Sequence, residues 1–206
     1  MAETAEIAHE EAKDDTGARL GMWLFLLSEM LLFGGMFILY AAYRYKNPLD
    51  FHHASRELEV LLGTLNTVIL LTSSLSIAVS ISAIQKGHRN LSLLLLMTTM
   101  FLGLLFLGNK GIEWGTKIEH GLYPNSPVLL SRPKGEILFF GLYYVMTGLH
   151  GLHVLVGVCV LGAMLRFMLN GKIGRSRFVP LENAGLYWHL VDIIWIFLYP
   201  LFYLIA

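Results

Sequence analysis

The sequence predicts an all-α, polytopic membrane protein built as a bundle of five transmembrane helices. Three observations carry this. Of 206 residues, 55% are apolar and only 15% charged, above and below the usual shares of a soluble domain. The apolar residues gather into five long blocks, over about 20–43, 61–84, 91–108, 136–167 and 182–205. At about 1.5 Å of rise per residue, such blocks suit a hydrocarbon core roughly 30 Å thick. No internal repeat or second domain is apparent, so residues 17–206 read as one transmembrane domain behind a tail of residues 1–16. The formal net charge is zero, which leaves no global basic surface for nucleic acid. Cys159 is the only cysteine; it excludes an intramolecular disulfide and every multi-cysteine metal pattern. In its apolar helix it reads as a buried, inert thiol.

The tail carries Glu3, Glu6, Glu10, Glu11, Asp14 and Asp15 against Lys13 and, just beyond it, Arg19. That is the reverse of a basic signal-peptide head, and the composition predicts a solvated, disordered segment. In the first helix, Glu29 falls near mid-depth. A carboxyl there needs a proton, a hydrogen bond from another helix or a wet cavity. It reads either as a proton-handling group or as a neutral packing acid bonded to a neighbour. Gly34 and Gly35 permit close backbone approach one turn on. Arg44 and Lys46 mark a polar boundary, and Asn47-Pro48 opens a loop to about Val60. On the second helix, Asn66, Ser73, Ser76 and Ser80 draw one small, polar stripe suited to tight interhelical packing.

A short basic turn, Lys86-Gly87-His88-Arg89, precedes the third block, the shortest of the set. Asn109, Lys110 and Glu113 follow it before Trp114, so Glu113 either continues the helix facing inward or is a solvated end group. The connection over 115–134, with Pro124, Pro127 and Pro133, exceeds the usual loop length and suggests an extramembrane cover. The fourth block contains YYVMTGLHGLHVLVG, with His150 and His153 one helical turn apart on roughly one face. Imidazoles at that depth need hydrogen-bond partners on another helix, a water-filled site, or a metal or haem. A basic loop holding Arg166, Lys172, Arg175 and Arg177 leads to Pro180 and the last helix. There LYWHLVDIIWIFLYP places His189 and Asp192 on one face, so that Asp192 accepts from His189 or from an imidazole of the fourth helix. Trp188 and Trp195 share a seven-residue spacing, and Pro200 is expected to bend or fray the end.

Five spans put the termini on opposite sides. Lys13, Arg19, Lys86, Arg89, Arg166, Lys172, Arg175 and Arg177 face Arg44, Lys46, Arg56, Lys110, Lys117, Arg132 and Lys134 across the membrane. The counts nearly tie. The two basic, acid-free turns of the first set favour a cytoplasmic N-terminus.

Several chemistries compete for the deep polar residues. A dihaem cytochrome b wants paired axial histidines at two depths, whereas only His150, His153 and His189 are deep here; a single haem between His189 and the fourth helix remains as an alternative. A mononuclear metal site from Glu29, His150, His153 and Asp192 is another. The sequence lacks HExxH, CxxC, a phosphate-binding glycine loop and a serine nucleophile context, which argues against independent enzymology and assigns no catalytic, cofactor or metal residues. A transporter is the main reading of a different class, but no duplicated half is evident.

The chain resembles subunit III of the haem–copper oxidase superfamily. The stretches that carry the resemblance are SEMLLFGGMFILYAAYRY (28–45), LNTVILLTSSLSIAVS (65–80), FLGLLFLGNKGIEW (101–114), TGLHGLHVLVG (147–157) and YWHLVDIIWIFLYP (187–200). The resemblance implies a noncatalytic accessory subunit packed against subunit I, with subunit II and further respiratory subunits nearby. It implies haem and copper only in the partner subunits, bound phospholipid, and a bacterial cytoplasmic membrane. Glu29 matches the family's buried helix carboxylate, linked to preserving proton uptake by subunit I while cytochrome c drives oxygen reduction. Glu113 matches an acidic position near the end of the middle helix. His150, His153, His189 and Asp192 match polar residues of the late helices, where a structural network is implied. Many mitochondrial-type members have seven helices, while this sequence resembles the shorter five-helix bacterial arrangement. The equivalent subunit of a quinol oxidase or nitric-oxide reductase complex is the related alternative.

Overall fold

The computed structural model describes residues 2–175 and 177–205, with side chains described from Thr16 onward. The elements in chain order are α1 (Ala2–Lys46), α2 (Pro48–Ser55), α3 (Val60–Gln85), α4 (Arg89–Glu119), α5 (Pro127–Leu130), α6 (Lys134–Leu169) and α7 (Val179–Tyr203). Among the described residues, five segments are long and apolar enough to cross a membrane: Thr16–Lys46 within α1, then α3, α4, α6 and α7. This is the expected five-helix class. Most of the acidic stretch expected as a tail falls on side chains outside those described.

Where each helix stops follows from local chemistry. At the end of α3, Gly87 takes φ +87°, and the amide of His88 donates back to the carbonyl of Ala83 at 2.9 Å. This left-handed glycine cap satisfies the last carbonyls and reverses the chain into α4. The same device closes α4, where Gly121 has φ +71° and the Leu122 amide donates to Lys117 at 2.9 Å. The third span therefore does not end near Gly108, as hydropathy suggested, but runs on to Glu119. Its added turns keep Lys110, Glu113 and Lys117 on an inward face, all three buried. The connection after it is correspondingly shorter than 115–134 and holds α5, whose N-cap Ser126 accepts from the amide of Leu129 at 3.0 Å.

The core is centred on α7, which has the largest buried share of the five spans. Trp188 is the key piece. A β-carbon on Gly103 of α4 would stand 2.6 Å from its Cη2, and one on Gly157 of α6 would stand 2.9 Å from its Cε3. The indole thus fills a slot that two glycines open. Its Nε1 donates to Ser73 Oγ of α3 at 2.9 Å, so one side chain joins four helices. Below it, Trp195 donates to Thr67 at 3.0 Å and packs edge-on against Phe106.

The small polar stripe of α3 is packing glue. Ser76 donates to Leu95 O at 2.9 Å and Ser80 to Ser92 O at 2.8 Å, both on α4. Helix α1 lies on the outside, with the smallest buried share of the spans. Outside the spans, Arg132 pairs with Glu57 and, at 3.1 Å, with Glu136. The Glu57 carboxylate, helped by Glu136, pushes the guanidinium pKa above its ordinary value despite a partial burial that works the other way. The exterior is apolar, with Leu24, Leu31, Ile38, Leu61, Leu75 and Phe101 exposed as in a lipid-facing surface. Cys159 also lies there, which corrects its expected burial: on a membrane protein an apolar setting marks the outer face as readily as the core.

Candidate functional site

Glu29 of α1 and His153 of α6 form the mid-depth contact between these helices. His153 Nε2 lies 2.9 Å from Glu29 Oε2, with side-chain exposures of 14% and 15% respectively. The other ring nitrogen of His153 lies 2.7 Å from the Leu149 carbonyl, Tyr187 OH donates to the His153 carbonyl at 3.0 Å, and Phe33 packs edge-on against the imidazole. The carboxyl thus has the partner on another helix that its depth demands.

His150 has different surroundings. It is fully buried, with its ring against Phe106 and Trp195, and neither ring nitrogen has a hydrogen-bond partner among the described residues. The shared face expected for the two histidines is therefore divided: one ring meets α1 and the other enters the core. His189 turns to α3, where its Nδ1 lies 2.6 Å from Ser74 Oγ. Asp192, 2% exposed, does not accept from His189 or from a histidine of α6, and neither of its carboxyl oxygens has a hydrogen-bond partner among the described residues. The Ser74 hydroxyl is engaged with His189.

These placements bear on the competing chemistries. A haem held between His189 and the fourth helix needs two imidazoles converging on an open slot, but His150 is walled by aromatic rings while His189 is bonded to α3 and His153 to α1. Glu29, His150, His153 and Asp192 do not converge either; among the described residues no group of three or more His, Cys, Asp or Glu is arranged to hold a metal.

The densest polar cluster joins Glu113 to three residues that sequence reasoning did not single out as site residues. Lys110 Nζ donates to Glu113 Oε2 at 3.0 Å, to Tyr143 OH at 3.0 Å and to Tyr203 OH at 2.9 Å. Tyr143 and Tyr203 in turn donate to Glu113 Oε1 at 2.7 and 2.6 Å. The ammonium thereby uses its three donors and the carboxylate accepts three bonds, with side-chain exposures of 8% and 1%. Such complete satisfaction is what a buried ion pair requires. The cluster ties α4, α6 and α7 together. The i,i+3 spacing of Lys110 and Glu113 is the signal that finds this pair, once the third helix is carried past Gly108. Next to Lys110 in the chain, Asn109 donates to Asn66 at 2.9 Å and joins α4 to α3.

None of these clusters opens as a substrate site with a nucleophile and base in reach of each other. They bond helix to helix at several depths, which is the chemistry of a scaffold. Comparison with known proteins agrees. A relative named cytochrome c oxidase subunit 3 from Thermostichus vulcanus is 34% identical over 188 residues, covering 91% of this chain and 87% of its own length. One of that name from Allomyces macrogynus is 34% identical, covering 89% of this chain but 64% of the relative. A protein from Aeropyrum pernix named heme-copper oxidase subunit I+III is 29% identical and matches 91% of this chain with 22% of its own length. The family described as cytochrome c oxidase subunit III matches residues 1–206, and the chain belongs to that family.

Proposed function

We propose that this chain is the noncatalytic accessory subunit of a haem–copper terminal oxidase, packed on the catalytic subunit I, which it stabilises while supporting proton uptake during oxygen reduction by cytochrome c. The observation that carries the partner is the relative whose name joins subunits I and III in a single protein; two units in one chain are held side by side. The observation that carries the accessory role is the use of the deep polar groups. Lys110, Glu113, Tyr143 and Tyr203 are consumed by one another, and Glu29 by His153, so they hold helices rather than await a substrate. Haem and copper belong to the partner subunits, phospholipid occupies the surface of this one, and subunit II and further respiratory subunits complete the assembly. The membrane is the bacterial cytoplasmic membrane, with the N-terminus inside and the C-terminus outside.

Glu29 is the residue we assign to the proton-related role. It lies well inside its span, is bonded to another helix and keeps partial exposure, at the edge of the bundle rather than in its centre. The test is to purify the oxidase through this chain in mild detergent and to compare its haem spectrum with that of the chain expressed alone. A haem-rich complex and a haem-free isolated chain are expected. Stoichiometric haem on the isolated chain would overturn the reading. Deleting the chain should leave initial oxygen consumption largely intact and shorten the time over which turnover persists.

A further inference from the structure

We propose that the end of the bundle formed by the α3–α4 turn and the α6–α7 loop docks anionic phospholipid headgroups, with Lys86 and Arg175 as the cations that meet the phosphate. This rests on the membrane placement of the proposed function and names a site for its lipid. The two segments are distant in sequence but form one surface. Arg89 Nη2 donates to the carbonyls of Met168 at 2.7 Å and Leu169 at 3.1 Å, which binds the start of α4 to the end of α6. Arg175 reaches across the join, its Cδ lying 4.0 Å from where a β-carbon on Gly87 would stand.

The charge of these two segments has one sign. Lys86, His88, Lys172 and Arg175 are exposed, and among the described residues none of the four sits in an ion pair. Residues 85–91 and 166–178 contain no acid. Glu182, in the first turn of α7, is already held by Arg19 at 2.8 Å. A depression of about 550 Å³ lies over the turn, lined by Gly87, His88, Arg89, Asn90 and Leu91.

Position selects a lipid over a soluble anion. Leu91, Leu94 and Leu169 are exposed immediately beside the cations, where the membrane-spanning segments begin, and the Lys172 ammonium sits 5.7 Å from the centre of the Phe167 ring. Cations at that level meet headgroup phosphates while the adjoining leucines meet the chains. Arg89 differs from its neighbours because it is spent on backbone carbonyls, so it builds the surface rather than offering it.

The experiment uses the intact oxidase complex purified through this chain. Native mass spectrometry counts phosphatidylglycerol and phosphatidylcholine retained at matched concentrations, with inorganic phosphate as competitor. The wild-type complex is expected to retain phosphatidylglycerol in preference to phosphatidylcholine. Lys86→Gln with Arg175→Gln should weaken that retention by about fivefold or more, and Lys86→Arg with Arg175→Lys should restore it. Subunit content and haem spectrum should not change in either variant. Equal retention by the glutamine variant overturns the proposal, as does competition by millimolar inorganic phosphate, which marks a soluble-anion site. Loss of another subunit instead of lipid marks a protein contact and overturns it too. A complex lacking haem in the wild type fails the accessory-subunit reading, whatever the lipid count shows.

Discussion

His153 Nε2 lies 2.9 Å from Glu29 Oε2, and this contact holds α1 to α6 at mid-depth, between Arg19–Glu182 at one end of α1 and the bond from Tyr40 OH to the Leu201 carbonyl at the other. Between these ties α1 is poorly buried, and β-carbons on Gly34 and Gly35 would meet nothing within 4 Å. Its attachment therefore rests on a few polar bonds together with Leu26, Phe33 and Tyr40, the side chains it buries in the bundle. Glu29→Ala should loosen α1 by about 0.6–2 kcal/mol, whereas Glu29→Gln, which keeps an oxygen toward His153, should cost less. Hydrogen exchange along α1 in the purified complex checks this. Equal protection in Glu29→Ala and wild type would show that the pair does not hold the helix.

The Lys110–Glu113 pair should behave as a unit. Glu113→Gln or Lys110→Met alone leaves a charge among Tyr143, Tyr203 and Trp195 with its main partner gone. Each single change is expected to cost about 3–5 kcal/mol, and the double variant distinctly less than the sum. Thermal unfolding of the complex in detergent, run as a double-mutant cycle, measures the coupling. Additive losses would mean that the two residues act separately.

The slot around Trp188 gives a steric prediction. Gly103→Ala puts a methyl 2.6 Å from Cη2 while Gly157 closes the ring from the other side, so the indole has no room to retreat. A loss of about 1–3 kcal/mol is expected. Gly141→Ala is the control, because a β-carbon there meets nothing within 4 Å; its melting temperature should not fall. Similar losses from the two substitutions would count against the slot.

The extramembrane clamp should be weak and sensitive to salt. Arg132, Glu57 and Glu136 are partly exposed, so removing Glu57 with Gln should cost about 0.2–1 kcal/mol and the cost should shrink at high ionic strength. The neighbouring bond in which Asp50 Oδ2 accepts from the Gly135 amide at 3.1 Å pairs no opposite charges and should be less sensitive to salt. Melting curves at low and high salt separate the two contributions. A salt-independent loss in Glu57→Gln would contradict the screening argument.

Sequence reasoning reached the individual deep residues more readily than their partners. Glu29 had to find a donor because of its depth, yet the donor stands 124 positions away, and no local period reports such a pairing. The end of α4 was misplaced because Asn109, Lys110 and Glu113 lower hydropathy like a helix terminus. The charges of Lys110 and Glu113 are paired with each other and hydrogen-bonded by tyrosines from α6 and α7, which only the assembled bundle brings near. Cys159 shows a different limit. In water an apolar neighbourhood implies burial, but in a bilayer the solvent-facing side is apolar as well, so hydrophobic pattern alone cannot separate inside from outside. By contrast, the small-residue stripe of α3 was legible, since hydroxyls at helical spacing have few other uses than close packing.

His150 separates a core imidazole from a ligand. Its ring is fully buried, meeting Phe106 nearly perpendicularly and Trp195 at a shallow tilt, and neither nitrogen is bonded among the described residues. If shape is what the site uses, His150→Phe replaces one flat ring by another and removes two unpaired polar atoms, so stability should be unchanged or slightly higher. His150→Ala should instead cost about 2–5 kcal/mol through the cavity it leaves between two aromatic rings. A marked loss in His150→Phe together with a changed haem spectrum of the complex would mean that the imidazole nitrogens bind something, and would reopen the haem reading. The same pair of substitutions at His153 should give a different pattern, because there Phe also discards the bond to Glu29 and cannot rescue the loss. The contrast between the two histidines, one packing and one pairing, is thus measurable within a single set of variants.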